Sequence, residues 1–432
     1  QVVGTGAFQE VDLVSAFESV AGFNHRVQAD SKYGELMTLA VKHALVNREV
    51  SHLTFPDDVQ IHPAEGLEAK TLDKRVADFH ILPPSHIVDQ AIDAIKESKQ
   101  PTIIVGHGAR FDMDRITALA EQLHAPVLTT FKGKGLIPDD HPLGCGVLGR
   151  SGTPIASYFM NEADLLIVFG ASFSNHTGIT PKVPTIQVDF DRMALAKFHG
   201  IDIPVWGELG ETARLMTERL SGASLDAKDR RPEVKERWDI WKKEKAKRLL
   251  EDNGKGVSSV AVFEAMNQYI PADAAIAVDV GNNTYSFGRY FECKQQSIVM
   301  SGYLGSIGFG YPAAMGLWAA VGASRPVFAV TGDGGFGQYP MEITTAVKYG
   351  MPIKHVLLNN AELGKISKEQ RAAEFDVWQT SLTNPNFSQF ARSCGAFALR
   401  VERKEQLDDA FRELLACDGP GMIEVMGDPM LI

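Results

Sequence analysis

Cysteine is scarce in this chain, which has only four cysteines in 432 residues. Cys145, Cys293, Cys394 and Cys417 are widely separated, and no two of them have the C-x-x-C spacing of a zinc or dithiol motif. Dense, regularly spaced cysteines are typical of disulfide-stabilised secreted domains and of zinc sites. We therefore expect four reduced thiols in a reducing, cytoplasmic compartment, with no disulfide framework and no zinc site.

Long apolar runs and an excess of positive charge are also missing. No segment approaches the roughly 18 consecutive apolar residues of a membrane helix, and no signal peptide is visible. The 43 Lys and Arg against 54 Asp and Glu give a formal net charge of −11, a balance that disfavours nucleic-acid binding. With 44% hydrophobic residues, the chain is long enough to bury two or three cores.

The most informative motif is Gly332-Asp333-Gly334, which is followed after 24 intervening residues by Asn359-Asn360. The apolar residues 326–330 predict a buried parallel strand that ends just before the motif. Glycines let backbone N–H groups approach phosphate oxygens closely, and an aspartate carboxylate is a hard oxygen ligand for Mg²⁺. The motif therefore indicates a site for a divalent metal and a diphosphate.

The residues between the two halves of this motif predict a strand–helix–strand unit. A helix, 340–349, is followed by a second apolar strand, 353–358, which delivers Asn359 and Asn360. In a right-handed crossover both strands end at the same sheet edge, so Asp333 and Asn360 should lie close together. Each half alone is also typical of an ordinary turn. Their combination in this context favours the metal site.

With this motif the chain resembles the thiamine diphosphate (ThDP) enzymes of the pyruvate oxidase, acetolactate synthase and pyruvate decarboxylase group, whose signature is the same GDG…NN stretch. The resemblance implies that three groups hold Mg²⁺: Asp333, the side chain of Asn360 and the backbone carbonyl of Glu362. The metal would in turn anchor the diphosphate of the cofactor.

Two segments upstream resemble other parts of the family's cofactor site. Residues 279–283 are similar to the first turn that contacts the diphosphate, and residues 301–310 to the segment that holds the aminopyrimidine ring. The resemblance implies that the carbonyl of Gly305 accepts a hydrogen bond from the 4′-amino group and that Ile307 wedges the cofactor into its V shape. The cofactor-binding residues implied in this part of the chain are Gly281, Asn282, Asn283, Gly305, Ile307, Gly332, Gly334 and Gly335.

The chain divides into three predicted blocks with an α/β fold. Residues 1–65 resemble the second half of the family's pyrimidine-binding domain, entered midway, and residues 80–218 alternate strands and helices as in a Rossmann-like parallel sheet. A charged stretch, 226–251, predicts an exposed linker helix. Residues 257–432 form the predicted domain that binds the ThDP diphosphate and Mg²⁺.

The 80–218 block carries motifs in the order found in FAD-binding members of the family. Gly106 and Gly108 follow a predicted strand, and residues 132–138 and 170–173 continue the similarity. A glycine pair of this kind is also typical of a tight turn, and some members of the family have lost the flavin. Arg110 could cap a surface turn and Asp189 could end a strand. We expect FAD here, held by Gly106, Gly108, Arg110, Ser172 and Asp189.

Three residues are candidates for contact with the substrate. Phe8 and Gln9 match a Phe-Gln pair that lines the active site from the partner subunit in oxidases and synthases of the family, with a solvent-facing loop as the alternative. Glu369 falls where pyruvate oxidases place a pocket glutamate, and a helix-surface ion pair is its other interpretation. Lys365 departs from the family, whose members usually have an apolar residue there, so the choice of substrate stays open.

The resemblance implies covalent catalysis by the cofactor on a 2-oxo acid. We expect a ThDP-, Mg²⁺- and FAD-dependent enzyme that decarboxylates and oxidises pyruvate, as pyruvate oxidase does, because residues 132–135 and 366–370 favour that branch. Residues 303–316 favour instead a carboligation similar to that of acetolactate synthase. A catalytically incompetent remnant that still binds ThDP is the third interpretation.

Two further expectations come from the family. Its members activate the cofactor with a glutamate in the first half of the pyrimidine-binding domain, a part that this chain does not cover. Glu10 and Glu18 cannot be assigned this role, so we expect the chain alone not to reach full turnover. The family's cofactor lies between two subunits, which implies a homodimer or a homotetramer.

Overall fold

A computed structural model describes residues 4–63, 72–78 and 80–431. The chain divides into two compact units, residues 1–80 and 81–432. The expected end of the first block near residue 65 lies outside the described residues. None of the described helices has the length and apolar character needed to cross a bilayer.

The described part of the first unit contains a small parallel strand pair with short helices. Its elements are α1 (Leu13–Phe17), β1 (Phe23–Arg26), α2 (Tyr33–Asn47), β2 (Ser51–Thr54) and α3 (Asp57–Gln60). Strands β1 and β2 pair in parallel, with Phe23 opposite Ser51. Because α2 connects them, this is one crossover unit of an α/β fold.

The first half of the second unit is a six-stranded parallel sheet with the order β5-β4-β3-β6-β7-β8. Its strands are β3 (Pro101–Val105), β4 (Val127–Thr129), β5 (Gly144–Val147), β6 (Leu165–Phe169), β7 (Thr185–Asp189) and β8 (Ile203–Trp206). Its helices are α4 (Ser85–Glu97), α5 (Met113–Leu123), α6 (Pro154–Asn161) and α7 (Leu209–Arg219). The order reverses between β3 and β6, which is the switch point of a Rossmann-like fold.

The second half of this unit is another six-stranded parallel sheet, with the order β10-β9-β11-β12-β14-β13. Its strands are β9 (Ala275–Val278), β10 (Ser297–Met300), β11 (Val327–Gly332), β12 (Lys354–Asn359), β13 (Phe397–Val401) and β14 (Gly421–Met426). The helices, with α8 preceding this sheet, are α8 (Arg231–Arg248), α9 (Ser259–Tyr269), α10 (Asn282–Tyr290), α11 (Gly310–Val321), α12 (Asp333–Phe336), α13 (Glu342–Lys348), α14 (Gly364–Ala372), α15 (Phe387–Ser393) and α16 (Leu407–Ala416). The switch point lies between β9 and β11.

The predicted α/β fold class is confirmed. The strands β3, β6, β7 and β9 are buried at every residue, as expected when helices cover both faces of a parallel sheet. The register of β11 and β12 pairs Gly332 with Leu358. The two strands that carry the GDG…NN motif therefore end side by side.

The prediction of an exposed helix in the charged stretch was wrong. Helix α8 buries Val234, Trp238, Trp241 and Lys245, which recur at intervals of four, three and four residues and so lie on one face. The indole Nε1 of Trp238 donates a hydrogen bond to the carbonyl of Gly144 (2.8 Å). The other faces of α8 carry most of its charged residues. These charged residues outnumber the buried apolar residues, so composition alone indicated an exposed helix.

A fully buried ion pair joins the two halves of the second unit. The ammonium of Lys134 lies 3.2 Å from the carboxylate of Asp139, and Asp139 also accepts a hydrogen bond from the N–H of Cys293 (2.7 Å). Burial is the largest single influence on the pKa of Lys134 and would lower it, but the charge and hydrogen bond of Asp139, together with the charges of Cys293 and Glu292, offset burial and raise the pKa. Burial raises the pKa of Asp139, and the charge of Lys134 and the N–H of Cys293 oppose that rise. Asp139 connects the loop after β4 to the segment before β10 through its hydrogen bond from Cys293.

His355 on β12 is buried among aromatic rings. Its Nε2 is 2.7 Å from the hydroxyl of Thr331, and its ring centroid is 4.6 Å from that of Phe336 and 5.1 Å from that of Tyr311. Burial lowers the pKa of His355 to about 3. The imidazole is therefore neutral in the folded protein at neutral pH.

We expect His355 to make folding stability depend on pH. In the unfolded chain the imidazole has a pKa of about 6.5, so below that pH the unfolded state gains a proton that the folded state does not. The contribution of His355 is fully present above pH 6.5 and is lost as the pH falls towards 3, at about 1.4 kcal/mol per pH unit. Urea unfolding at pH 7.5 and pH 5.5 should show a larger loss for the wild type than for His355→Phe. Equal losses would contradict this assignment.

Candidate functional site

A cavity of about 300 Å³ opens at the carboxyl ends of β9 and β11, which is the switch point of the second sheet. Ligands of open α/β sheets bind at such points, because the flanking loops leave the sheet in opposite directions. The structure brings together at this cavity all the residues predicted to hold ThDP and Mg²⁺. They are Gly281, Asn282, Asn283, Gly305, Ile307, Gly332, Asp333, Gly334, Gly335, Asn360 and Glu362.

Asp333 follows the last residue of β11 and begins α12. Its side chain is 3% exposed and accepts a hydrogen bond from Nδ2 of Asn384 (2.6 Å). Burial raises the pKa of Asp333, and the hydrogen bond from Asn384 opposes that rise. A buried carboxylate with one oxygen held in this way is well suited to bind a cation with the other.

The two asparagines after β12 face different surroundings. Asn360 lines the cavity, whereas the side chain of Asn359 is 2% exposed and donates a hydrogen bond to Glu424 (2.8 Å). Between Asn360 and Glu362, Ala361 has a φ of 54°. This left-handed conformation is unfavourable for alanine, and such strain is common at functional sites. It forms the tight turn in which the N–H of Glu362 donates to Oδ1 of Asn360 (3.2 Å).

The opposite wall of the cavity is suited to bind a diphosphate. Gly281 has a φ of 140° and precedes the first turn of α10, whose N-terminal N–H groups favour an anion. Nδ2 of Asn282 is shielded from solvent and has no hydrogen-bond partner among the described residues. A Cβ on Gly335 would lie 2.5 Å from Oδ2 of Asp279, so no larger residue fits there. A free buried donor and a glycine wall fit the predicted cofactor.

Asp279 ties the segment predicted to hold the aminopyrimidine to the rest of the site. Its Oδ1 accepts hydrogen bonds from the N–H of Val280 (2.7 Å) and of Gly308 (3.0 Å). Gly308 follows Ile307, which lines the cavity together with Gly305. Burial raises the pKa of Asp279. The carboxyl group therefore fixes the two loops relative to each other rather than facing the cavity.

Sequence reasoning missed two residues near the site, Asn384 and Glu424. Asn384 donates from Nδ2 to Asp333 and also to Oδ1 of Asn359 (2.9 Å). Glu424 is fully buried within β14, and besides Asn359 it contacts Arg400 (3.4 Å). A charged residue inside an otherwise apolar strand is a signal that could have identified Glu424. Asn384 lies in an irregular segment, where no periodic pattern distinguishes it.

Removing the amide of Asn384 should weaken metal binding. Groups that orient a metal ligand typically contribute about 10- to 100-fold to affinity, and Asn384 orients the one predicted ligand that is a carboxylate. We expect Asn384→Ala to lower the Mg²⁺ affinity of the ThDP-loaded protein about 10-fold, measured by titration calorimetry. Asn253→Ala, at an exposed position, is the control. An unchanged affinity in Asn384→Ala would show that this hydrogen bond is only structural.

The metal site predicted here has one carboxylate. Among the residues that the structure describes, no group of three or more His, Cys, Asp or Glu side chains could hold a metal ion. The predicted ligands at the cavity are Asp333 together with amide and main-chain oxygens. Such hard, mostly neutral oxygen ligands suit Mg²⁺, which also binds substrate phosphates and water.

The residues predicted to bind FAD lie at the carboxyl edge of the first sheet. A Cβ on Gly106 would be 2.2 Å from the carbonyl oxygen of Gly170, and the N–H of Gly108 donates to that carbonyl (3.0 Å). Nη1 of Arg110 donates to the carbonyl of His107 (3.0 Å). These groups are engaged within the chain itself, as the turn and capping interpretations anticipate.

The last two predicted FAD residues are at the same edge. Asp189 ends β7 and accepts a hydrogen bond from the N–H of Asp191 (2.9 Å), and Ser172 is exposed shortly after β6. The edge is the switch point of a dinucleotide-binding topology. FAD binding stays a prediction.

The predicted substrate contacts are less clearly placed. Phe8, in the first unit, is 92% exposed, and Gln9 beside it has a φ of 62°. Glu369 on α14 forms an ion pair with Lys365 one turn earlier, which is the helix-surface arrangement given as its alternative. It also lines a second cavity of about 250 Å³. A role in catalysis stays a prediction for all three.

A doubly wound α/β unit with a glycine-walled, carboxylate-bearing cavity at a switch point is typical of proteins that bind a phosphate-containing ligand. Comparison with known families identifies which class. The thiamine pyrophosphate enzyme central domain matches residues 88–216, and the thiamine pyrophosphate enzyme C-terminal TPP binding domain matches residues 279–425. The chain belongs to the thiamine pyrophosphate enzyme family.

Individual relatives cover nearly the whole chain. It is 31% identical to a putative thiamine pyrophosphate-containing protein of Bacillus subtilis, over 98% of this chain and 73% of the relative. It is 28% identical to a probable acetolactate synthase large subunit of Methanocaldococcus jannaschii, over 99% and 75%. It is 27% identical to the acetolactate synthase isozyme 2 large subunit of Escherichia coli, over 99% and 77%.

Proposed function

We propose that this protein is a ThDP- and Mg²⁺-dependent enzyme that joins two 2-oxo acid molecules, with pyruvate as the first substrate, and releases CO₂. The observation that carries the proposal is the cavity at the switch point, where every residue implied for ThDP and Mg²⁺ by the family resemblance meets. Carboligation is preferred over other ThDP reactions because relatives named acetolactate synthase align with 99% of the chain.

Different residues of the cavity would bind the metal and the diphosphate of the cofactor. Asp333, the side chain of Asn360 and the carbonyl of Glu362 would bind Mg²⁺, and the turn at Gly281 with the free amide of Asn282 would bind the diphosphate. When bound, ThDP supplies the electron sink that allows a 2-oxo acid to lose CO₂.

The remainder of the cavity would keep water out. Val257, Val262, Leu358 and Val425 contribute apolar side chains to its wall. A cavity with few polar atoms strengthens the electrostatic interactions inside it and limits hydrolysis and premature protonation. An enzyme that joins two oxo acids would benefit from such exclusion of water.

The expected pyruvate oxidase-like activity is less well supported. It was based on residues 132–135 and 366–370, and Glu369 in the second of these stretches is paired with Lys365. Carboligation of two oxo acids involves no net oxidation, so it does not require FAD as an electron acceptor. The visible absorbance spectrum of the purified protein tests FAD separately, because a bound flavin gives a band that ThDP does not.

We also propose that the active protein is a homodimer or homotetramer. Tyr303 and Leu304 are 93% and 82% exposed and directly precede Gly305 of the cavity wall, and Met341 is also exposed. Large exposed apolar side chains near a binding site are typical of surfaces covered by another chain. Light scattering during size-exclusion chromatography measures the oligomeric state.

The test of the proposed function is product analysis with ¹³C-labelled pyruvate, ThDP and Mg²⁺. Because the family activates ThDP with a glutamate in the first half of its pyrimidine-binding domain, the chain is assayed alone and after fusion to that half-domain from a relative. We expect acetolactate from the fusion protein and little turnover by the chain alone. Acetate formed only with an electron acceptor would favour an oxidase, and acetaldehyde a simple decarboxylase. ThDP binding without any product from the fusion protein would favour a non-catalytic role.

A further inference from the structure

The second cavity, of about 250 Å³, is lined mainly by basic side chains. It lies between α10, α14 and the loop after β5. Four basic residues, Arg150, Arg289, Lys365 and Lys368, line it, but only one acidic residue does, Glu369. The whole chain is acidic, with a net charge of −11, so a basic cavity is not a consequence of composition.

The single carboxylate does not neutralise the cavity. Glu369 pairs with Lys365, whose ammonium also lies 5.4 Å from the centre of the Tyr285 ring. Neither the ammonium of Lys368 nor the guanidinium of Arg150 forms a salt bridge or a side-chain hydrogen bond with the described residues, although, besides Lys365, the charge of Arg150 helps to lower the pKa of Glu369. Four basic groups with one carboxylate among them leave the concave site with an excess of positive charge, which attracts an anion.

Arg289 is held in position rather than left mobile. Its Nε donates to the carbonyl of Gly152 (3.3 Å) and its Nη2 to the carbonyl of Arg150 (3.2 Å). Both acceptors are neutral, so the charge is not cancelled, and Nη1 makes no hydrogen bond to the described residues. A fixed guanidinium costs less conformational entropy when it binds a carboxylate.

The second cavity adjoins the first, which lies at the carboxyl ends of β9 and β11 and is called the cofactor cavity here. Asn282 and Lys365 line both, so a small ligand can place one end at the cofactor and the other among the basic residues. The second cavity's volume of about 250 Å³ is sufficient for a three- or four-carbon acid.

We propose that this second cavity binds the carboxylate of the acceptor 2-oxo acid, with Arg150, Arg289 and Lys368 as the recognising groups. The assignment rests on the proposed function, since only a reaction with a second oxo acid needs an acceptor site. These three residues would then determine which acceptor is bound. Lys365, which departs from the family pattern, would shape the wall between the two cavities.

The test is calorimetric titration of the ThDP- and Mg²⁺-loaded protein with oxamate, an unreactive analogue of pyruvate. Each charge-assisted hydrogen bond typically contributes enough to change affinity about tenfold or more. We expect the double variant Arg150→Gln with Lys368→Gln to bind oxamate at least about tenfold more weakly than the wild type. The double variant Lys242→Gln with Lys243→Gln removes the same charge from exposed positions on α8 and should bind as the wild type does.

ThDP binding by both variants should be unchanged, which shows that the folded cofactor site survives. Oxamate affinity that is the same in the two double variants would overturn the proposal, and so would the absence of oxamate binding by the wild type. Inorganic phosphate bound about tenfold more tightly than oxamate would overturn the assignment to a carboxylate. Oxamate binding needs no turnover, so a failure to form acetolactate would count against the proposed function alone.

Discussion

Replacing Asp333 with alanine is expected to reduce the affinity for ThDP in the presence of Mg²⁺ by more than about 100-fold. The other two predicted metal ligands, the amide of Asn360 and the carbonyl of Glu362, are neutral, so Asp333 provides the only negative charge. Without it the metal would lose both a ligand and most of the electrostatic attraction that opposes its dehydration. The diphosphate, itself an anion, would then lose the cation that anchors it.

The measurement is a calorimetric titration of ThDP with Mg²⁺ in excess. Asp376→Ala is the matched control, because it removes an exposed carboxylate from the same unit and should leave the affinity unchanged. In the absence of ligands, the unfolding temperature of Asp333→Ala should stay close to that of the wild type. Burial raises the pKa of this carboxyl, which means that the ionised group does not itself stabilise the fold. ThDP binding by Asp333→Ala at near wild-type affinity would show that the metal lies elsewhere.

Replacing Lys134 with methionine is expected to destabilise the folded protein by about 3–5 kcal/mol, the usual range when one partner of a buried ion pair is removed. Asp139 is 9% exposed. Without Lys134, its carboxylate would keep only the N–H of Cys293 as a hydrogen-bond partner among the described residues. Methionine has nearly the length of lysine, so the loss would come from the unpaired charge rather than from a cavity. Urea unfolding measures the difference in free energy.

The second variant of this test removes both charges. Lys134→Met combined with Asp139→Asn keeps a hydrogen-bonding side chain opposite Cys293 and leaves no buried ion, so it should recover much of the lost stability. Lys242→Met, at an exposed position, should change stability by less than about 0.5 kcal/mol. A loss below about 1 kcal/mol in Lys134→Met would mean that Asp139 is protonated or reached by water.

The proximity of Asp333 and Asn360 could be predicted from sequence because both follow local rules. Gly332, Asp333 and Asn360 come directly after apolar strands, and adjacent parallel strands end at one edge. Their supporting contacts could not be predicted in the same way. Asn384 reaches Asp333 across 51 positions of sequence, and Glu424 reaches Asn359 across 65. Such contacts depend on how elements pack, which no local pattern encodes.

The fold was predictable wherever a strand is continuously apolar. It was less predictable where a helix contains both charged and buried apolar residues. The charged residues of α8 outnumber Val234, Trp238 and Trp241, so composition indicated an exposed helix although the spacing of these three side chains indicated a buried face. The short strands β5 and β8 have glycine or proline within them, which weakens the usual strand signal. The burial of one face of α8 and the formation of β5 and β8 depend on tertiary packing.

The measurement that tests the central claim most directly is a calorimetric titration of the wild-type protein with ThDP, first with Mg²⁺ and then with the metal removed by a chelator. If the switch-point cavity holds ThDP through Asp333, Asn360 and Glu362, binding should occur at one site per chain and depend strongly on Mg²⁺. Binding of equal affinity with and without the metal, or no binding at all, would contradict this assignment of the cavity.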